Sequence, residues 1–291
     1  MFNPEQNKVD LMSVQESAPP ADDPIQLADR MFDLFCTPPA VSDEARAGMS
    51  RMQARLDRAE AFRVPFEGGD LQAYRFTGRG RGTVVLVHGW SGQAAVMSAF
   101  VDPLLEQGFD VIVFDLPAHG RSDGDRLHVP LGVRALHALH AVTGPWYGLV
   151  GHSFGGAVIT SALSGLVDGL PRLSASRLAL VAAPNSMPRI FDIFSRRHHL
   201  SPAADRHLKS HVRRLTGHEV DAFIGADILR RDPVPTLVLH APDDKEVDYL
   251  SAEEFATAGP HVTVHALPGL GHRRILYARD TLRAVADFMG T

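Results

Sequence analysis

The sequence predicts an α/β fold: a mostly parallel central sheet flanked by helices, with an N-terminal helical extension and a small helical lid insertion. The first observation behind this prediction is a series of short, continuous apolar runs that begins after residue 61. Such runs are typical of strands that are covered on both faces. The second observation is that stretches long enough for crossover helices separate the runs, and that one stretch, residues 182–235, is too long for a simple crossover.

The first part of the chain differs from the rest. Residues 1–26 are polar and rich in proline, which predicts a flexible or loosely packed arm. Helices are expected over Gln26–Cys36, which ends before two prolines, and over Ser42–Ala61, which begins with a capping serine and two acidic residues. Residues 1–61 are therefore assigned to an arm and a helical extension.

Alternating apolar residues around a Glu-Gly-Gly-Asp turn predict a hairpin of Phe62–Phe66 and Leu71–Phe76. The buried strands are then expected at Thr83–Val87, Val111–Phe114, Tyr147–Val150, Leu178–Val181, Thr236–Leu239 and Val262–His265. Helices are expected at Gly92–Gln107, Gly155–Ser164 and Thr281–Met289. The α/β core thus comprises residues 62–187 and 233–291, and residues 188–232 form the predicted lid.

Composition narrows the classes of function. The chain has 291 residues and a formal net charge of −5, with no basic stripe, so nucleic acid is not an expected partner. Its single cysteine excludes an intrachain disulfide, and no apolar run reaches the length of a membrane span. Without a signal-peptide pattern at the start, we expect a cytoplasmic protein with no membrane span; the oligomeric state is left open.

The candidate nucleophile is Ser153, at the centre of the Gly-x-Ser-x-Gly sequence over residues 151–155. An apolar run precedes it and a helical pattern follows, which predicts a strand, a sharp turn and a helix. Such a turn lifts the hydroxyl above the sheet, next to the free N–H groups of a helix N-terminus. Five residues can also match by chance, in which case Ser153 simply caps a helix.

A nucleophilic serine needs a base and an acid that orients it. His272 lies after the last predicted strand in a Gly-Leu-Gly-His loop, and an imidazole with a pKa near neutrality can accept and return the serine proton. The acid is expected in the loop after Leu239, where we favour Asp244 with Asp243 as the substitute. Asp-Asp-Lys-Glu clusters otherwise form solvated turns.

The oxyanion hole is expected to combine the backbone N–H of Phe154 with that of Trp90, in the loop after Val87. The indole of Trp90 is also a candidate for the wall of an acyl pocket. His88, in the same loop, is interpreted as a structural histidine that bonds the backbone.

These segments resemble the α/β-hydrolase superfamily across roughly residues 62–289. The matching segments, in order, are His88-Gly89-Trp90, Asp115 to Ser122, Gly151 to Gly155, His240 to Val247 and Gly271-His272. The resemblance implies a serine esterase-like enzyme without a cofactor, a structural role for the Asp115 loop, and Asp244 as the acid. Ala241 departs from the glycine that is usual in the family pattern.

The expected function is a serine hydrolase that cleaves a carboxylic ester of a small-molecule acyl substrate through an acyl-enzyme. The same triad also serves thioesterases, lactonases, acyltransferases, C–C hydrolases and perhydrolases. A non-catalytic small-molecule-binding protein on the same fold is a further alternative.

The predicted lid contains further polar and aromatic groups. His207 and His211 are spaced to share a helix face, but the sequence shows no third ligand, so we favour a solvated basic face and expect no metal. The Arg and His residues at 196–199 are interpreted as lid surface, with attraction of an anionic substrate as the alternative. Phe191, Ile193 and Phe194 are expected to pack the lid onto the core and to bound an apolar pocket.

Overall fold

The computed structural model describes residues 23–39 and 52–291, and it contains an eight-stranded sheet with the strand order β1-β2-β4-β3-β5-β6-β7-β8. The strands are β1 Glu60–Phe66, β2 Gly69–Phe76, β3 Thr83–Val87, β4 Asp110–Phe114, β5 Gly148–His152, β6 Arg177–Val181, β7 Thr236–His240 and β8 Val262–Ala266. The β1–β2 and β2–β4 pairs are antiparallel and the other five pairs are parallel, so the predicted mostly parallel sheet is confirmed.

The helices surround this sheet. They are α1 Pro24–Cys36, α2 Ala94–Met97, α3 Val101–Glu106, α4 Val129–Thr143, α5 Phe154–Ser164, α6 Met187–Arg197, α7 Pro202–Thr216, α8 Gly225–Arg231, α9 Leu250–Ala256, α10 Gly271–Arg274 and α11 Arg279–Gly290. Among the described residues, no helix is both long enough and apolar enough to cross a membrane.

Two apolar cores lie on opposite faces of the sheet. Alternate residues of β3 divide between them: Val85 and Val87 face one core, and Val84 and Leu86 face the other. The first core is completed by α4, α5, α8 and α9, and the second by α2, α3 and α11. Strands buried on both faces need apolar residues at every position, which explains the continuous runs in the sequence.

One predicted helix is broken. Instead of a single helix over Gly92–Gln107, the chain forms α2, a 3₁₀ turn over Ser98–Phe100, and then α3. Pro103 provides the reason, because it has no N–H and its ring clashes with the preceding turn of a continuous helix. In the structure Pro103 lies in the first turn of α3. There an N–H would have no partner within the helix, and no preceding turn of α3 lies in the way of the ring.

The N-terminal helix α1 begins two residues before the predicted start. Asp23 caps it by accepting the N–H of Ile25 (3.0 Å), and Pro24 occupies the first turn. The rest of the predicted arm, residues 1–22, lies outside the described residues. So does the first half, residues 42–51, of the predicted helix over Ser42–Ala61; residues 52–56 are helical, but Glu60 and Ala61 already belong to β1.

Three helices, α6, α7 and α8, occupy the long stretch between β6 and β7. Helix α1 packs against α6 and α7, and the three helices form a third apolar cluster that includes Phe32, Phe191, Ala204 and Leu208. The N-terminal extension and the insertion therefore build one joint subassembly, which the sequence alone did not indicate.

Candidate active site

Ser153 lies in the turn between β5 and α5. Its backbone has φ 49° and ψ −120°, a conformation that residues with a side chain seldom adopt, and its N–H donates to the carbonyl of Val181 (2.9 Å). A Cβ on Gly155 would lie 2.3 Å from the carbonyl oxygen of Val87, and one on Gly151 would lie 2.7 Å from the Gly156 nitrogen. The two glycines of the motif are therefore required by close backbone packing.

Asp244 and His272 form a hydrogen-bonded pair, although 28 positions separate them in the chain. The Nδ1–H of His272 donates to Oδ2 of Asp244 (2.8 Å). This bond fixes the ring tautomer, so Nε2 carries a lone pair and can accept a proton. Both side chains are buried: that of Asp244 has no exposed surface and that of His272 is 7% exposed.

The loop around Asp244 stabilises its negative charge. Its Oδ1 accepts the N–H groups of Glu246 (2.8 Å) and Val247 (3.0 Å). Burial raises the pKa of this carboxyl, but hydrogen bonds from His240, His272 and the two backbone N–H groups outweigh burial and hold the pKa below its usual range. Asp244 is therefore a carboxylate at neutral pH.

Asp243 has a different position. Its Oδ1 accepts the N–H of Gly269 (2.7 Å), which ties the Asp243 loop to the loop that carries His272. Asp243 is also exposed, whereas Asp244 points inward to the imidazole. Of the two carboxylates considered from the sequence, only Asp244 contacts His272 through a hydrogen bond.

His152 connects the His272 loop to the serine turn. Its Nε2–H donates to the carbonyl of His272 (3.0 Å), and the two ring centroids are 4.9 Å apart. Burial lowers the pKa of His152 to about 3, so the ring is neutral. His272 is thus anchored beside the residue that precedes Ser153, although Ser153 Oγ makes no hydrogen bond with His272 or with any other described residue.

The loop after β3 packs against the same turn. A Cβ on Gly89 would lie 3.0 Å from Cβ of Ser153, so the loop and the serine are in close contact. The N–H groups of Trp90 and Phe154 have no hydrogen-bond partner among the described residues, and the Trp90 and Phe154 rings lie 5.5 Å apart. The two N–H groups that the sequence predicted as oxyanion donors therefore belong to the loop and the turn that meet at Ser153.

The remaining motifs support this loop. The buried His88 donates from Nδ1 to the Gly89 carbonyl (2.8 Å) and accepts the Leu116 N–H at Nε2 (2.9 Å), so neither nitrogen is available for catalysis. Asp115 accepts the N–H groups of Ala94 (2.6 Å) and Arg121 (2.9 Å). Both residues have the structural roles expected of them.

Glu246 was not singled out from the sequence. Its Oε2 lies 3.8 Å from Nε2 of His272, and its Oε1 pairs with Arg273 (3.1 Å). The Asp-Asp-Lys-Glu cluster was the only signal for it, and that pattern does not distinguish a residue beside the imidazole from a solvated one.

The insertion departs in part from the sequence prediction. Phe191 and Phe194 pack on Phe35 of α1, with ring centroids 4.8 and 5.0 Å apart, rather than directly on the sheet. Ile193 does not pack inward: it is 47% exposed, because it lies on the outer face of α6. Arg196 and Arg197 are exposed, in agreement with their interpretation as surface.

A small apolar pocket of about 30 Å³ lies between α1 and the insertion. Its lining includes Phe32 and Phe35 from α1, Phe191 from α6, and Val212 and Leu215 from α7. Ser153, Trp90 and His272 do not line it. The predicted apolar pocket at the insertion therefore exists, but it is separate from the residues that surround Ser153.

Comparisons with known proteins agree with this fold. Residues 84–288 match the model of a family described as the alpha/beta hydrolase family. A curated relative from Variovorax paradoxus, named "Putative carbamate hydrolase RutD", is 27% identical over 251 residues, which cover 71% of this chain and 91% of the relative.

Solved structures share the fold at low sequence identity. Est1E from Butyrivibrio proteoclasticus, solved with ferulic acid bound, superposes with a TM-score of 0.61 and 17% identity over 79% of this chain and 96% of its own. The esterase RhEst1 from Rhodococcus sp. ECU1013 gives a TM-score of 0.59 and 21% identity over 80% of this chain and 98% of its own.

Proposed function

Because the chain belongs to the alpha/beta hydrolase family, we propose that it is a serine hydrolase that cleaves a carboxylic ester through an acyl-enzyme. Ser153 is the proposed nucleophile, His272 the base and Asp244 the acid that orients the base. Trp90 and Phe154 are the proposed oxyanion donors. No cofactor is required for this chemistry.

The observation that carries the proposal is the buried bond from His272 Nδ1 to Asp244 (2.8 Å). In the neutral ring it places the proton on Nδ1 and leaves the lone pair on Nε2 of His272, in a loop that His152 anchors next to the serine turn. A solvated turn or a helix cap does not account for a carboxylate and an imidazole brought together from loops 28 residues apart.

The proposed reaction begins when Ser153 Oγ attacks the ester carbonyl while Nε2 of His272 takes its proton. This step needs a hydrogen bond between Ser153 and His272, and catalytic hydrogen bonds often tighten only when the substrate is bound. As the carbonyl oxygen becomes negative, it accepts hydrogen bonds from the backbone N–H groups of Trp90 and Phe154. His272 then protonates the leaving alcohol, and water, activated by the same imidazole, releases the acid.

A carbamate is the second candidate substrate class. The name of the Variovorax relative refers to carbamate hydrolysis, and the match covers 91% of that protein. The same nucleophile, base and oxyanion donors would serve an attack on a carbamate carbonyl. The other acyl chemistries of this triad, from thioester to C–C bond cleavage, have no separate observation in their favour.

The proposal also includes the predicted lid, N-terminal extension and location of the protein. We retain residues 188–232 as a lid over the α/β core, residues 1–61 as an extension, and a cytoplasmic location. The packing of α1 on α6 and α7 supports treating the extension and the lid as a unit that limits access to the substrate.

The test is reaction with a fluorophosphonate probe and with p-nitrophenyl esters of short and medium chain length. We expect wild type to be labelled once per chain and Ser153→Ala to lose the label and about a thousandfold or more of its turnover. Ser164→Ala, at the end of the same helix, is the matched control and should keep both. An unlabelled, inactive wild type would exclude the ester hydrolase and favour a binding protein.

A further inference from the structure

Two histidines and an aspartate from distant parts of the chain meet on the outer side of the insertion. His207 and His211 lie four residues apart on α7, so their side chains project from the same helix face. Asp29 of α1 lies opposite them, and its Oδ1 is 3.0 Å from Nε2 of His207 and 2.9 Å from Nε2 of His211. The third ligand that the sequence lacked is therefore supplied by another helix.

We propose that Asp29, His207 and His211 form a site for a zinc-class divalent transition metal, which clamps α1 to α7. All three donor atoms lie within 4.8 Å of one another. Two imidazole nitrogens and one carboxylate oxygen suit Zn²⁺ and its neighbours in the first transition row, whereas Ca²⁺ and Mg²⁺ prefer oxygen ligands alone. Water would complete a tetrahedral shell.

Two of the three spacings between ligand atoms fit such an ion with small adjustments, and the third, between the two imidazole nitrogens, is within 4.8 Å. Ligand atoms of a tetrahedral zinc ion lie about 3.3 Å apart, given metal–ligand distances near 2.0–2.1 Å. The distances from Asp29 to the two imidazoles are shorter by a few tenths of an ångström. Because Asp29 is half exposed, its carboxylate can move outward by that amount.

The surroundings prepare His211 as a ligand. Its ring stacks on Phe32, with centroids 4.1 Å apart and planes within 9°, so the ring orientation is fixed by packing. Arg214 lies 3.9 Å from Asp29 and weakens the site by its charge.

The clamp has a structural consequence. Phe32 lies three residues after Asp29 on α1, and it lines the apolar pocket together with Val212 of α7. A metal ion shared by the two helices would fix the distance between these walls of the pocket. Asp29 lies outside the matched region of the family, which begins at residue 84, so the site would be a property of this chain's extension.

The test uses tag-free, full-length protein that has been stripped with a chelator. Equilibrium dialysis against Zn²⁺ should give one ion per chain, and Co²⁺ should produce the visible absorption of a tetrahedral complex. Asp29→Asn, His207→Gln and His211→Gln should each weaken Zn²⁺ binding tenfold or more. His218→Gln, which alters an exposed histidine just beyond α7, is the matched control and should bind as wild type does.

Two results would overturn the proposal. One is a wild type that binds no Zn²⁺ and gives no tetrahedral Co²⁺ spectrum. Asp29, His207 and His211 would then be a hydrogen-bonded cluster and not a metal site. The other is undiminished binding by the triple variant, which would place the ion elsewhere. The Co²⁺ spectrum of wild type tests the site even if a variant fails to fold. Ester hydrolysis is not involved in any of these measurements, so failure of the proposed function would leave them unaffected.

Discussion

Three buried histidines next to the serine turn have different chemistry because their nitrogens have different partners. His88 uses both nitrogens in hydrogen bonds with the backbone, and His152 donates to the carbonyl of His272. In His272, by contrast, Nδ1 donates to Asp244 and Nε2 has no hydrogen bond. Of the three, His272 is thus the one with its tautomer fixed by a carboxylate and a nitrogen left to accept a proton.

At this scale, we predict different effects for the two adjacent aspartates. Asp244→Asn should lower kcat by about 10³- to 10⁴-fold, because an amide can stabilise the wrong tautomer of His272 and cannot stabilise its charged form. The measurement is ester turnover by purified, folded variants. Asp243→Asn is the matched control: it alters only a bond to Gly269, so kcat should stay near that of wild type. If Asp243→Asn lowered kcat more than Asp244→Asn does, Asp243 and not Asp244 would be the residue that orients His272.

At the scale of elements, the serine turn depends on how closely α5 approaches β3. Gly155, in the first turn of α5, lies directly against the backbone at the end of β3, where no side chain has room. The Gly89 loop approaches Ser153 from the same side. The positive φ of Ser153 is thus maintained by packing from two elements, as expected for a strained residue at a functional site.

Gly155→Ala should therefore destabilise the protein in spite of the higher helix propensity of alanine. Its Cβ would meet the Val87 and His88 carbonyl oxygens at 2.3 and 2.6 Å, and backbone atoms cannot rotate away. We expect a loss of roughly 2–4 kcal/mol in the free energy of unfolding, measured by urea denaturation.

The same change at Gly290, in the last turn of α11, is the control for this prediction. There the nearest atom to the new Cβ is the end of the flexible Gln107 side chain. Gly290→Ala should leave stability within about 1 kcal/mol of wild type. Equal effects of the two substitutions would contradict the packing argument.

At the scale of the whole molecule, burial of neutral histidines should make stability depend on pH. Burial lowers the pKa of His88 and His152 to about 3, whereas in the unfolded chain both titrate near 6.5. Between these values the unfolded chain binds more protons, so the free energy of unfolding falls as the pH falls. The expected slope is about 1.4 kcal/mol per pH unit for each ring.

Urea denaturation at about pH 7.5 and pH 5.5 checks this prediction. Wild type should be less stable at the lower pH, and His152→Gln should show a smaller difference because one titrating ring is removed. His218→Gln, which changes an exposed ring, should keep the wild-type difference. Equal stability of wild type at both pH values would show that the buried histidines do not control how the free energy of unfolding depends on pH.

Much of the molecule follows from local sequence. Thr83–Val87 matches its predicted strand at both ends, and the other predicted strands agree within two residues. Strands β3 to β7 are buried on both faces and therefore require unbroken apolar sequence. The expectation of a buried strand at Val262–His265 was wrong, because β8 lies at the edge of the sheet and is largely exposed. The Gly-x-Ser-x-Gly pattern likewise predicted the turn at Ser153. The steric demand for glycine is local at Gly151, which lies against Gly156, whereas at Gly155 it comes from the backbone of Val87 in β3. Local sequence was therefore enough to predict the α/β fold, the serine turn and the loops from which partners for Ser153 had to come.

The packing of the helices and strands in the folded protein determines which groups in those loops meet. From residue types alone, Asp243 and Asp244 were both candidates, and the structure directs Asp244 to His272 and Asp243 to Gly269. It also brings Asp29 to His207 and His211, across a separation in the chain that no local pattern encodes. The reason is physical: strand and turn preferences act over a few residues, whereas hydrogen bonds between loops depend on how whole elements pack.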